Sequence, residues 1–299
     1  RRRSMYLIEL LKKIFRDKNL GIIIYLILNI FVVVMILSSF FASNKINGIL
    51  FGIIAYLLSV SIALSPIGEW LLRLQTNCKV IKRVDYLEKL NPLFEEVYNK
   101  AKEIDPSISS NIKLYMNDNM EPNAFATGRN TICLTKGLLS YTDDEIKAIF
   151  SHEFGHLRNK DTDLLLLITV GNFIIMFFFI VFRLIFRTTG IIASIINRSW
   201  GTLIITLFID TIYVAMFSLW TRLGAVLVLH SSRRSEYEAD KFAFDTGYGY
   251  YLAEALDKLS LYSGERSKGI FATLMSSHPR TDDRIAKLQE LGVEYRRTF

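Results

Sequence analysis

The sequence predicts an α+β, mainly helical protein in which four transmembrane helices are attached to a polar portion carrying a small β-sheet. Three observations point there. Apolar residues fill 51% of 299 positions and are bunched into four long runs, whereas a soluble domain of this size disperses them. Stretches of ordinary polar composition lie between and after the paired runs. Inside the first of these, short β-type runs are split by turn chemistry.

In "MYLIELLKKIFRDKN", Tyr6, Leu7, Leu10, Leu11 and Ile14 share one helical face and Lys12, Lys13, Arg16 and Lys18 lie elsewhere. Residues 1–19 therefore read as a basic amphipathic segment on a membrane surface. Met5 stands where a start codon would lie, which makes Arg1–Ser4 an added extension on this reading. Leu20–Ala42 is uncharged and long enough to cross a bilayer; its apolar core is too long for a cleaved signal peptide. A short "SNKING" turn and a second run, Ile49–Ile67, complete a transmembrane hairpin over 20–68.

Residues 69–163 form the first part of the polar domain. "VDYLEKLNPLFEEVYNKAKEI" reads as a helix interrupted near Pro92. "IKLYM", "NAFAT" and "TICLT" read as strands, with Gly128-Arg129-Asn130 as a hairpin turn. Thr142 is the expected N-cap of the next helix, Glu145 completes a capping box, and Ile146, Ile149 and Phe150 continue a buried face. Residues 164–229 hold the second pair of spans, Leu164–Phe182 and about Leu203–Leu229, joined by a loop with Arg187 and Arg198. Asp210 lies inside the fourth run, either as a functional group or as a hydrogen-bond partner within the bundle. Residues 230–299 return to polar composition and form the second part of the domain.

Formal net charge is +7. The basic residues cluster beside the apolar runs and no nucleic-acid motif occurs, so the expected partner is the lipid bilayer and not nucleic acid. Lys12, Lys13, Arg16 and Lys18, then Arg73, Lys79, Lys82 and Arg83, face only Lys45 in the first turn. The positive-inside tendency then puts both termini and both polar blocks in the cytoplasm. Arg183, Arg187 and Arg198 on the other side blur that signal. Cys78 and Cys133 are too few for a disulfide framework or a thiolate metal cage, and fit a reducing compartment.

The chemistry concentrates at His152-Glu153-Phe154-Gly155-His156, an H-E-x-x-H match holding two of the four histidines in the chain. On a helix the two imidazoles stand one turn apart on one face and can reach a single zinc ion. Glu153 adjoins the first of them and can take a proton from a water whose pKa zinc lowers to roughly 7. Chance matches are rare, roughly a few in a thousand for such a motif. A catalytic zinc needs a third protein ligand and an open position. "SRRSEYEAD" offers Glu236 and Glu238. Glu236 is preferred because Asp240 lies one turn beyond it, placed to accept the free N–H of a zinc-bound histidine, while Glu238 points to another face.

In this order and around paired spans, "NAFATG", "DDEIKAIFSHEFGHLRNKD", "SRRSEYEAD" and "HPRTDDRI" resemble the HtpX-type integral membrane zinc metalloproteases, relatives of the CAAX prenyl endopeptidases. The resemblance covers nearly the whole chain. It implies a multi-pass protein of the plasma (inner) membrane whose cytoplasmic domain is a gluzincin-like zinc metalloprotease. That domain would hold one Zn2+ per chain and act on polypeptide substrates, misfolded or damaged membrane proteins among them. His152, His156 and Glu236 would bind zinc, Glu153 would serve as general base and then acid, and Asp240 would support a ligand from behind. The resemblance also makes His278 and Arg284 a catalytic, cationic pair bordering the site that would stabilise the oxyanion of a tetrahedral intermediate, although this chain has "HPR" where many relatives read "HPP". The other reading of Arg284 is an ion pair with Asp282 or Asp283. Asn123, Ala124, Phe125 and Ala126 would form the edge that receives substrate as an added strand; otherwise they are ordinary hairpin residues. Asp161 falls where relatives carry an aspartate, or simply marks the membrane boundary of the zinc helix. Two competing functions remain: processing of specific lipidated or C-terminal substrates, and a metal-binding membrane scaffold that cleaves nothing.

Overall fold

The computed structural model describes residues 20–41, 44–169, 172–262 and 281–296. The amphipathic segment at 1–19 and His278 lie outside the described residues. The chain divides into two compact units. One comprises Arg1–Ile62 and Ile168–Leu227, the other Ala63–Leu167 and Val228–Phe299.

The first unit is helical: α1 (Leu20–Ser38), α2 (Lys45–Ala63), α7 (Phe173–Ile196) and the N-terminal part of α8 (Trp200–Asp245). By length and composition, Lys45–Ala63, Ile174–Ile196 and Trp200–Gly224 can each cross a membrane, and Ile23–Ser38 is a shorter apolar helix. Val33, Leu37, Tyr56 and Ile175 form its buried core. Two sequence expectations are corrected here. The third apolar run is not one helix over 164–182. It is shared between α6 (Asp161–Thr169) and α7, which extends to Ile196. Arg187 consequently sits on α7 and not in a loop; only Arg198 occupies the turn, with a left-handed φ of 47°. The longer helix has a use for these cations. Arg183 donates Nε and Nη2 to the two Asp210 oxygens at 2.7 and 3.1 Å, and Arg187 lies 3.8 Å from the same carboxylate. Asp210 is thereby paired inside the apolar helices, as its depth demands.

The second unit begins at the end of α2 and continues through α3 (Pro66–Gln75), β1 (Lys79–Val80), α4 (Val84–Ile104), β2 (Lys113–Asn117), β3 (Ala124–Thr127) and β4 (Thr131–Thr135). A 3₁₀ turn, Lys136–Ser140, leads to α5 (Asp143–Asn159) and α6. After the apolar helices it resumes with the end of α8, then α9 (Gly249–Tyr262) and α10 (Thr281–Glu290). The four strands stand in the order β1-β2-β4-β3. β2 and β4 run parallel with Tyr115 opposite Cys133, and β3 pairs antiparallel to β4 with Ala126 opposite Ile132, which leaves β3 at the edge.

Pro92 does not interrupt α4, which runs unbroken from Val84 to Ile104. Leu90 on one side of the proline and Leu93, Phe94, Val97 and Ala101 on the other are all buried in one core. Packing on both sides outweighs the missing backbone hydrogen bond, whose loss costs about 3 kcal/mol in an isolated helix. Phe94 is central, with Phe150 edge-on at 5.6 Å and Phe154 at 5.4 Å between centroids. This aromatic cluster seats α5, whose first turn carries the full capping box of Thr142 and Glu145. That turn also carries Asp143 and Asp144, acidic residues suited to the positive end of the helix.

Candidate active site

α5 presents the buried His152 and Glu153 and the half-buried His156 together, and α8 brings Glu236 to the same place. The close meeting of these helices depends on Gly155. A Cβ there would lie 2.7 Å from the Ala239 Cα, so only glycine lets the two backbones approach this far. The result is a cluster of three donor side chains whose ligand atoms all lie within 4.8 Å of one another. His152 Nε2 and His156 Nε2 are 3.1 Å apart, and each stands 3.4 Å from a different oxygen of Glu236. Of the two sequence candidates for the third position, Glu236 is the one in the cluster. Glu238 points away and accepts from Arg234 at 2.9 Å.

Each imidazole is held from behind by its other nitrogen. His152 Nδ1 is 2.9 Å from Asp240, and His156 Nδ1 is 3.0 Å from Asp161. With Nδ1 donating to these carboxylates, both Nε2 lone pairs are aimed at one spot. Two lone pairs at that separation beside a buried carboxylate suit a positive charge between them, and the donor set of two imidazoles and one carboxylate matches zinc. The electrostatics agree. Burial and Arg284 push His152 toward its neutral form, yet Asp240 and Glu236 outweigh them and raise its pKa. Burial acts the same way on His156, and Glu236 with Asp161 lifts it well above the ordinary histidine value. The pocket is built to stabilise cations.

Arg284, from α10, is the fourth wall. It donates Nε and Nη2 to Asp240 at 2.8 and 2.6 Å, and its Nη1 stands 3.3 Å from Glu236. Burial favours the charged form neither of Arg284 nor of Asp240, but their mutual attraction wins: the arginine pKa rises and the aspartate pKa falls. Arg284 therefore faces the cluster and is paired with neither Asp282 nor Asp283. Residues one and two positions away on a helix cannot turn toward it.

The edge strand closes the site. The Ala126 N–H donates to Glu153 Oε2 at 2.6 Å. Asn123 faces β4, donating its N–H to Thr135 Oγ1 at 2.8 Å and accepting from the Thr135 N–H at 2.9 Å. By strand alternation the main-chain groups of Ala124 and Ala126 point outward, and those of Phe125 toward β4. The hairpin turn is anchored from α3: Glu69 accepts from the Asn130 N–H at 3.1 Å and the Thr131 hydroxyl at 2.6 Å. Sequence reasoning assigned no role to Glu69 and left Asp161 between two readings. Asp161 follows Lys160, whose left-handed φ of 59° turns the chain back toward His156.

A two-histidine, one-glutamate cluster beside a sheet edge, in a chain with helices able to cross a membrane, defines the class of membrane metalloproteases. Comparison with known proteins gives the family. The profile of peptidase family M48 matches residues 89–292, and the chain belongs to that family of zinc-dependent metalloproteases. It is similar to the "Protease HtpX homolog" of Tropheryma whipplei (strain Twist), 33% identical over 218 residues, covering 61% of this chain and 67% of the relative. The protein of the same name from Campylobacter curvus (strain 525.92) is 30% identical over 210 residues, covering 61% of this chain and 69% of the relative. Among solved structures, that of S. mikatae Ste24p aligns with a TM-score of 0.47 and 20% identity, covering 87% of this chain and 62% of that one.

Proposed function

We propose that this chain is an integral membrane zinc-dependent endopeptidase that hydrolyses peptide bonds of misfolded or damaged membrane proteins. Its spans would number four, with the peptidase domain and both termini at the cytoplasmic face of the plasma membrane, as the basic flanks favour. The observation that carries the reading is the convergence of His152, His156 and Glu236 with Glu153 alongside.

In this reading His152, His156 and Glu236 hold the zinc, and Asp240 and Asp161 orient the two imidazoles. When bound, zinc supplies Lewis acidity toward water and toward the scissile carbonyl. Glu153 is positioned by its bond from the Ala126 N–H to Oε2, which leaves Oε1 to take a proton from the attacking water. The same oxygen then delivers that proton to the nitrogen of the leaving amine. An extended peptide adds beside β3 through the outward main-chain groups of Ala124 and the outward carbonyl of Ala126. Asn123 and Phe125 support that edge from the β4 side. Arg284 balances the charge of Asp240 and keeps Glu236 facing the histidines.

The test is Glu153→Gln in the purified full-length protein. It is expected to bind one zinc as the parent does and to lose cleavage of a casein-like substrate by about 10²–10⁴-fold, the usual worth of a general acid–base. Parent-like turnover by this variant would overturn the mechanism.

A further inference from the structure

Helix α3 has two faces that do not match. Ile67, Trp70 and Leu74 are 56%, 51% and 59% exposed and recur at i, i+3 and i+7, so they share one side. Gly68, Glu69 and Leu72 on the opposite side are buried. Among the described residues the apolar face therefore has no cover, while the other face grips the active-site hairpin. Glu69 holds the Asn130 N–H and the Thr131 hydroxyl, and Arg73 donates to the same hydroxyl at 3.0 Å.

The position of α3 in the chain says what lies against that face. α2, apolar enough to cross a membrane, ends at Ala63, and α3 starts at Pro66. Three residues reach at most about 10 Å. Gly68 packs directly on the last turn of α2: a Cβ there would fall 2.0 Å from the Ala63 carbonyl oxygen. The close approach of α3 to Ala63 is thus set by contact as well as by chain length. A short helix fixed to the end of a span, with a tryptophan at the centre of its outer face, is suited to the boundary between headgroups and acyl chains.

We propose that α3 lies in the bilayer interface with Ile67, Trp70 and Leu74 among the lipids, and that Glu69 and Arg73 thereby hold the β3–β4 hairpin at headgroup level. Resting on the peptidase reading above, this names a substrate class: extended segments that emerge within a few residues of the membrane surface. More distant segments would have to bend back to reach β3.

Trp70 is one of three tryptophans, the others being Trp200 and Trp220. A W200F/W220F variant of the full chain leaves it as the sole reporter. In phosphatidylcholine–phosphatidylglycerol vesicles, lipids brominated near the headgroup are expected to quench Trp70 more than lipids brominated near the methyl end, and aqueous iodide to quench it little. Strong iodide quenching, or stronger quenching from the methyl end, overturns the placement. If W200F/W220F misfolds, the spectrum lost in W70F relative to the parent gives the same reading. The functional arm uses W70E/L74E. Casein cleavage in detergent should stay within about twofold of the parent. Cleavage of a vesicle-inserted single-span peptide, cut close to the membrane, should fall at least about tenfold. Equal loss on both substrates makes α3 a purely structural element and overturns the proposal. A parent protein that cleaves neither substrate sinks the peptidase reading, while Trp70 quenching still decides the position of α3.

Discussion

Gly155→Ala tests whether the spacing of α5 and α8 sets the metal site. The added methyl would meet the Ala239 Cα at 2.7 Å, its Cβ at 3.0 Å and its carbonyl oxygen at 3.2 Å. Ordinary van der Waals contact begins at 3.4 Å, so the closest of these is about 0.7 Å short. Two of the three atoms are backbone and cannot rotate away, so the helices themselves must part. Overpacking of this kind costs about 1–3 kcal/mol. Alanine offsets roughly 1 kcal/mol of that through its better helix propensity. The metal-free protein should therefore lose little thermal stability. The site fares worse, because zinc ligation tolerates only about ±0.2 Å. Moving Glu236 on α8 away from both histidines on α5 by several tenths of an ångström is expected to weaken zinc binding by about 10–100-fold, comparable to removing a supporting partner. Competition against a chromophoric chelator measures that affinity, and thermal unfolding with and without zinc separates it from misfolding. Parent-like zinc affinity in G155A would refute the argument that close helix packing builds the site.

Asp240→Asn and Asp161→Asn should each lower zinc affinity by about 10–100-fold, since each loosens one imidazole; the same chelator competition reads both. Arg284→Met leaves the buried Asp240 without its cation and is expected to destabilise the protein by about 3–5 kcal/mol, measured by denaturant unfolding in detergent. Glu96 accepts from Lys147 and from the Tyr248 hydroxyl, which together hold its carboxyl down to about 2. A depressed folded-state pKa stabilises above the unfolded value, roughly 4.3, and that contribution is lost as pH falls through about 2. Glu96→Gln should therefore flatten the acid side of a plot of melting temperature against pH.

The helix carrying His152 and His156 was legible because its signals are local. The capping box, the i, i+4 histidines and the apolar positions behind them all lie within one stretch of chain, and the structure follows them closely. The preference for Glu236 over Glu238 was also legible, from the single fact that Asp240 lies one turn beyond Glu236. What escaped depends on distant chain or on competition between effects. Arg284 meets Asp240 across 44 positions, and its nearer acidic neighbours were plausible decoys. Pro92 argued for a break that apolar packing on both sides overrides. Hydropathy alone could not show that α6 ends at Thr169 and α7 begins at Phe173, because leucine-rich and phenylalanine-rich stretches flank the short Val170-Gly171-Asn172 segment. The need for glycine at 155 appears only once Ala239 is seen against it.

The order of the ligands along the chain also schedules the enzyme's birth. His156 and Glu236 are 80 positions apart, and α6, α7 and most of α8 are made between them. At the usual pace of synthesis, about 5–20 residues per second, the two histidines exist for roughly 4–16 s before the glutamate does. During that interval a nascent chain carries an incomplete site. Completion further requires the intervening helices to fold back so that α8 can return to α5. A chain stopped after Leu229 should accordingly bind zinc weakly and cleave nothing, which makes the apolar hairpin a timer for the protease.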